Sequence, residues 1–99
     1  MNFSTEDFDQ TTVLSIGGEL DAVSVAELRS TLDGLAAGER AHIIIDLTKL
    51  RVIDSSGVGA IVSLYKRTRA KGGNLSVRGL CEQPLAIFRL LRLDRVLAA

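Results

Sequence analysis

The chain has 99 residues, which suits one compact domain spanning residues 1–99 and is too short for two. Twelve basic residues balance twelve acidic ones, and this neutrality argues against nucleic acid as the main ligand, because binding a phosphate backbone needs positive charge. No apolar run approaches the ~20 residues that span a bilayer, and residues 1–10 lack the features of a signal peptide. Cys81 is the single cysteine, so no internal disulfide can form and a cytoplasmic location is expected.

The first third of the chain predicts two paired strands followed by a helix. Apolar and polar residues alternate enough to indicate a strand from Thr11 to Gly17, paired with the segment near Phe3 to Phe8. The Gly17-Gly18 step is expected to end this strand. Asp21 or Ser24 can then cap the first helix. The apolar face of that helix comprises Val25, Leu28, Leu32, Leu35 and Ala36.

The middle of the chain predicts a buried strand followed by a second helix. Gly38 is expected to end the first helix, and the β-branched run from Ala41 to Leu47 indicates a central strand. A helix from about Ser56 to Lys71 should follow, with Gly72-Gly73 closing it. Its inner face comprises Val58, Ile61, Val62 and Tyr65.

The last third predicts one more strand and a third helix. The strand runs from Leu75 to Gly79, Pro84 suits the first turn of the helix, and Val96-Leu97 is expected to form a last short strand. Cys81, with apolar neighbours, is expected to be buried. The inner side of the third helix comprises Leu85, Ile87, Phe88 and Leu91. Strands that alternate with helices predict an α/β fold, a mixed sheet of four to five strands with about three helices packed on it.

The segment from Asp54 to Gly59 carries the most chemical information. One interpretation is structural: one serine caps the second helix while Asp54 interacts with its dipole, each contributing ~1 kcal/mol. The other is functional, because there are two serines where one cap suffices, and Gly57 and Gly59 leave the helix entrance without side-chain cover. A helix N-terminus can hold a phosphate on its free N–H groups. We therefore predict that Ser55 is a phosphorylation switch.

The sequence lacks the residues that other kinds of functional site require. A P-loop needs lysine and then Ser or Thr after its last glycine, whereas Gly59 is followed by Ala60-Ile61. A hydrolase nucleophile elbow needs a glycine two residues before the serine, which neither Ser55 nor Ser56 has. His42 is the single histidine and begins a strand, so neither a catalytic base nor a metal cluster is expected. The sequence thus predicts no enzyme activity and no cofactor.

Three segments together carry a family resemblance. With Gly-Glu-Leu-Asp at 18–21, the strand at 42–47 and the segment from Ile53 to Gly59, the chain resembles the anti-sigma factor antagonists of the STAS superfamily. Tyr65-Lys66 and the segment from Lys71 to Leu75 continue the likeness over nearly the full length. The resemblance implies a single STAS domain with a STAS-like fold.

The resemblance also implies partner switching. In that family the unphosphorylated antagonist binds an anti-sigma factor, which is also a serine kinase, and so frees a sigma factor for transcription. The kinase phosphorylates the serine that matches Ser55, and a PP2C-type phosphatase removes the phosphate. Asp21 matches a motif aspartate, and the fold would place it on the same sheet edge as Ser55. The expected partner-binding residues are Asp21, Asp54, Ser55, Ser56, Gly57, Val58 and Gly59.

A second interpretation stays open at this stage. STAS-like domains also serve as constitutive interaction modules, accessory to transport or stress-signalling complexes, without a kinase switch. Two departures from the antagonist pattern bear on the choice. Val52-Ile53 replaces the commoner aromatic-Met pair, and the chain ends at Ala99, where relatives usually continue into a further helix.

Overall fold

The computed structural model describes residues 1–39 and 42–97, which form five strands and four helices. In chain order the elements are β1 Asn2–Phe8, β2 Thr11–Leu20, α1 Ala22–Ala37, β3 His42–Asp46, β4 Leu50–Ile53, α2 Ser55–Ala70, β5 Asn74–Arg78, α3 Glu82–Leu90 and α4 Asp94–Leu97. The predicted α/β class with a mixed sheet is confirmed.

The sheet is organised around β2, which pairs with three other strands. Its order is β1-β2-β3-β5, with β1 antiparallel to β2 and the remaining pairs parallel. Beyond the part of β2 that pairs with β3, residues 18–20 pair with β4, also in parallel. The prediction that Gly17-Gly18 ends this strand is wrong. Instead the register shifts between Gly18 and Glu19, and a φ of 90° at Gly18 accommodates the irregularity.

The core lies between the sheet and the helices packed on it. The strands contribute alternate buried side chains, as period-two geometry requires, such as Ile43 and Ile45 on β3. The predicted face of α1 is confirmed: four of its five residues are buried and Leu35 packs against them half-buried. On α2 the predicted Val62 also packs half-buried against the core, whereas Leu64, which the pattern omitted, is fully buried.

Several boundaries differ from those predicted. Val96-Leu97 lies in the short helix α4 and not in a strand, with Leu97 buried and Val96 exposed. Leu91 is exposed at the end of α3, because that helix stops at Leu90. Cys81 is exposed, which contradicts the expectation of a buried thiol, since it precedes α3 at the surface. Ala41, predicted to begin the central strand, lies outside the described residues.

The strand β4 was absent from the prediction. It has only four residues, and two of them, Arg51 and Val52, are exposed. A segment this short has no clear periodicity, and its strand conformation comes from pairing with β2. Among the described residues, no helix is long and apolar enough to cross a membrane.

Candidate functional site at the entrances of two helices

Parallel pairing brings the entrances of α1 and α2 together. In the β2–β4 pair, Leu20 lies opposite Ile53, and both strands end at these residues. The N–H of Asp54 donates to the carbonyl of Leu20 at 3.2 Å, which continues the pairing by one residue. Asp21 and Asp54 therefore lie side by side at one edge of the sheet, where each precedes a helix. The predicted proximity of Asp21 to the Ser55 turn is thus present in the fold.

Both aspartates cap the helices that they precede. An oxygen of Asp54 accepts from the N–H of Gly57 at 3.1 Å, and Asp21 accepts from the N–H of Ser24 at 3.0 Å. The Ser24 hydroxyl in turn accepts from the N–H of Asp21 at 2.8 Å, which completes a capping box. The expectation that a serine caps α2 is wrong, because Asp54 performs that role.

Ser55 is the first residue of α2, and its side chain is exposed. The N–H groups of Ser55 and Ser56 belong to the first turn, where no preceding helical carbonyl can accept them. They sit at the positive end of a 16-residue helix. An exposed hydroxyl beside such donors can carry a phosphate without losing a structural contact.

Ser56 differs from Ser55 in its surroundings. It is half-buried and lines a groove of about 370 Å³ between α1 and α2, whereas Ser55 does not line this groove. Gly59 also lines it. At its far end Arg67 contacts Asp33 across the two helices at 3.1 Å. The adjacent serines thus face different environments, and Ser55 is the more accessible one.

The two glycines of the motif have different roles. A Cβ on Gly57 would lie 2.7 Å from both the carbonyl oxygen of Leu20 and Cγ1 of Ile53, so this glycine lets α2 approach the sheet closely. Gly59 is exposed, and a Cβ there would meet no atom within 4 Å. Val58 is buried in the core. Of the expected partner-binding residues, Gly57 and Val58 therefore lie inside the protein.

One of the two capping aspartates at this edge has a perturbed pKa. Hydrogen bonds from the backbone N–H of Ser24 and then from its hydroxyl hold the pKa of Asp21 below its ordinary value. Asp21 is therefore ionised at neutral pH, and its backbone lies beside that of Asp54 at the start of α2. Within residues 1–39 and 42–97, no group of three or more His, Cys, Asp or Glu side chains is placed to hold a metal ion.

The sequence also matches a known protein family. Residues 2–98 match the family model of the STAS domain. The chain belongs to the STAS domain family. This STAS domain is 31% identical over 84 residues to the anti-sigma-B factor antagonist of Bacillus subtilis (strain 168), a match that covers 85% of this chain and 76% of that protein.

Solved structures share the fold of this STAS domain. An anti-sigma factor antagonist from Mycobacterium paratuberculosis matches with a TM-score of 0.86 at 23% identity, over 97% of this chain and 81% of the other. The Bacillus cell fate determinant SpoIIAA in its phosphorylated form matches with a TM-score of 0.78 at 25% identity, over 95% and 86% of the two chains. The predicted STAS-like fold and the resemblance to anti-sigma factor antagonists are confirmed.

One residue at the site of this STAS domain, Gln83, was not predicted from the sequence. The side-chain carboxamide of Gln83, at the start of α3, accepts from the N–H of Ile53 at 2.9 Å and donates to the carbonyl of Ile53 at 2.9 Å. The two residues are 30 positions apart. No local pattern marks such a contact, since it depends on where α3 docks.

Proposed function

We propose that this STAS domain is an anti-sigma factor antagonist that acts by partner switching. The unphosphorylated form binds an anti-sigma factor that is also a serine kinase, and a sigma factor is thereby released. Phosphorylation of Ser55 abolishes that binding. The observation that supports this proposal most directly is that Ser55 is exposed at the first position of α2 while Asp54 supplies the cap. The hydroxyl can be modified without loss of the capping hydrogen bond.

The protein acts in this scheme as a substrate and a binding partner. The kinase supplies the nucleotide, the metal ion and the base that phosphoryl transfer needs. This chain supplies an accessible hydroxyl and the surface on which the kinase docks. A PP2C-type phosphatase returns the phosphoserine to serine. Because sigma factors act on transcription, the proposed function places the protein in the cytoplasm.

Phosphorylation would act on the partner more than on the fold. A phosphate adds about −1.5 to −2 charges and three acceptor oxygens. The first-turn N–H groups of α2 can accept this charge locally, so the domain should keep its structure. In the complex, the dianion would lie in a desolvated interface beside Asp54 and Asp21. Like-charge contact there can cost several kcal/mol, and ~1.4 kcal/mol already lowers affinity tenfold.

The comparisons support this proposal through what the related proteins are. The Bacillus subtilis relative carries the name anti-sigma-B factor antagonist, and SpoIIAA exists in a phosphorylated form. The ionised carboxylate of Asp21 lies at the same edge of the sheet as Ser55, and a phosphate on Ser55 would add to this negative charge. Together these features favour a switch over a constitutive module.

Phosphorylation of the purified protein tests the proposal. We expect incubation with the cognate anti-sigma kinase and ATP to add one phosphate, located by fragment mass analysis on Ser55. The Ser55→Ala variant should bind the kinase but remain unmodified, and the Ser56→Ala variant should still receive its phosphate on Ser55. A phosphate on another residue, or none under conditions where the kinase is active, would exclude the proposed switch.

A further inference from the structure

The peptide group that precedes the capping aspartate of α2 is held from two sides. On one side, the N–H of Asp54 donates to the Leu20 carbonyl of β2 at 3.2 Å. On the other, the carbonyl of Ile53 in the same peptide accepts from Nε2 of Gln83 at 2.9 Å. The carboxamide of Gln83 also accepts from the N–H of Ile53 at 2.9 Å. One side chain thus fills the place that a neighbouring strand would take along β4.

The backbone that carries Gln83 is itself constrained. Glu82 has a φ of 51°, a left-handed conformation that is uncommon for residues other than glycine. Pro84 follows Gln83, and a proline restricts the backbone conformations of the residue that precedes it. Cys81, at the N-cap position of α3, makes no side-chain capping hydrogen bond. Unfavourable backbone geometry persists only where surrounding contacts hold it, and the two hydrogen bonds to Ile53 are such contacts.

We propose that Gln83 is a positioning residue for Ser55, an inference that rests on the proposed phosphorylation of that serine. Its carboxamide fixes the peptide that leads into Asp54, and Asp54 in turn sets the first turn of α2 through its bond to Gly57. Ser55 lies between these two fixed points. Gln83 therefore holds the phosphate acceptor in the orientation that the kinase receives, and it does so through its bonds to the backbone of Ile53.

Hydrogen exchange of the Ile53 amide measures this contact directly. Gln83→Ala should raise the exchange rate of that amide about tenfold or more, because its acceptor is lost. Gln83→Glu provides a sharper test, since a carboxylate can accept from Ile53 but cannot donate to its carbonyl. Once protonated, the acid has both a donor and an acceptor. Protection of Ile53 in this variant should rise as the pH falls through about 4.3, after correction for intrinsic exchange, whereas it should not rise in Gln83→Ala.

Phosphorylation kinetics test the consequence for Ser55. We expect Gln83→Ala to lower kcat/KM for Ser55 phosphorylation about tenfold. The control is Val77→Ala, which removes buried volume from β5, a strand that pairs with β3 and not with β4, and so lowers the thermal midpoint. This control should be phosphorylated at the native rate.

The outcomes separate this proposal from the one on which it rests. If the native protein is phosphorylated on Ser55 and Gln83→Ala matches it, the positioning role is excluded while the switch stands. Equal loss of kcat/KM in Val77→Ala would mean that general destabilisation is responsible, which also excludes it. If the native protein is not phosphorylated, the proposed function fails first. The exchange of Ile53 then still decides whether Gln83 holds the turn, and unchanged exchange in Gln83→Ala would refute that.

Discussion

Asp21 and Asp54 occupy equivalent positions at the ends of two paired parallel strands, and each caps the helix that follows. The pairing of Leu20 with Ile53 places them next to each other, and the N–H of Asp54 binds the Leu20 carbonyl at 3.2 Å. Ser55 follows the second of these caps. The arrangement concentrates negative charge beside an exposed hydroxyl, so a further dianion there would change the surface that a partner meets.

Replacement of Ser55 by aspartate should weaken binding to the anti-sigma factor at least tenfold. The introduced charge lies beside Asp54 and Asp21, where ~1.4 kcal/mol of repulsion gives this factor. The thermal midpoint should stay nearly unchanged, because Ser55 is exposed and does not cap α2. Titration calorimetry gives the affinity, and thermal unfolding gives the stability.

The control for that experiment is Ser30→Asp, an exposed serine of α1 that does not line the groove between α1 and α2. This variant carries the same added charge and should bind normally. Native affinity in Ser55→Asp would favour a constitutive interaction module. Unfolding of Ser55→Asp would instead assign Ser55 a structural role.

Loss of the Asp54 cap should destabilise the domain. Asp54→Ala removes the acceptor of the Gly57 N–H, and the free energy of unfolding should fall by about 1 kcal/mol. Asp54→Asn should retain most of the stability because asparagine also caps well. Urea denaturation measures both. If Ser56→Ala costs as much as Asp54→Ala, then the serine contributes a cap that the geometry assigns to the aspartate.

The two motif glycines should respond oppositely to alanine. Gly57→Ala places a Cβ 2.7 Å from the Leu20 carbonyl and should lower the free energy of unfolding by about 1–3 kcal/mol. Gly59→Ala meets no atom within 4 Å and should raise it by up to ~1 kcal/mol, since alanine favours the helix. Denaturation of the pair under identical conditions provides an internal control. Equal effects would show that α2 does not approach the sheet as closely as described.

Stability should depend on pH through Asp21. Its pKa in the folded protein lies below its ordinary value of 3.8, because Ser24 donates to the carboxylate. A proton therefore binds more tightly to the unfolded state, so the contribution of Asp21 is complete above pH 3.8 and is lost as the pH falls through the lowered folded value.

Asp21→Asn isolates this effect, because asparagine can cap α1 but does not titrate in this range. Below about pH 4 the free energy of unfolding should fall more steeply for the native protein than for the variant. Asp46, whose pKa is also lowered, chiefly by the Thr48 hydroxyl, is common to both proteins and cancels in the comparison. Parallel curves from urea denaturation at each pH would contradict the prediction.

Local patterns predicted most of the regular structure. Apolar residues at helical spacing identified the buried side of α1, including Leu28 and Leu32, since burial imposes that period. The pattern was less successful where a segment is short. Residues 50–53 form a strand only because residues 18–20 are available to pair with them, and α4 is a single turn at the edge of the core.

The candidate site was predicted in part. Asp54, Ser55 and the helix behind them follow from the order of residue types along the chain, because capping is a local interaction. Only the geometry of the turn shows that Asp54, and not one of the adjacent serines, caps α2. The burial of Gly57 and the exposure of Gly59 likewise depend on how α2 lies against the sheet, although the two residues look equivalent in the sequence.

The sequence by itself determined, to within a residue, where α1 and α2 begin, which face α1 buries and which hydroxyl stands at the entrance of α2. These properties depend on neighbours within a few residues. Only the tertiary structure decided that Asp21 lies beside Asp54 and that Gln83 holds the peptide before Ser55. Such contacts join residues 30 or more positions apart, and they arise from strand pairing and helix docking that no local spacing encodes.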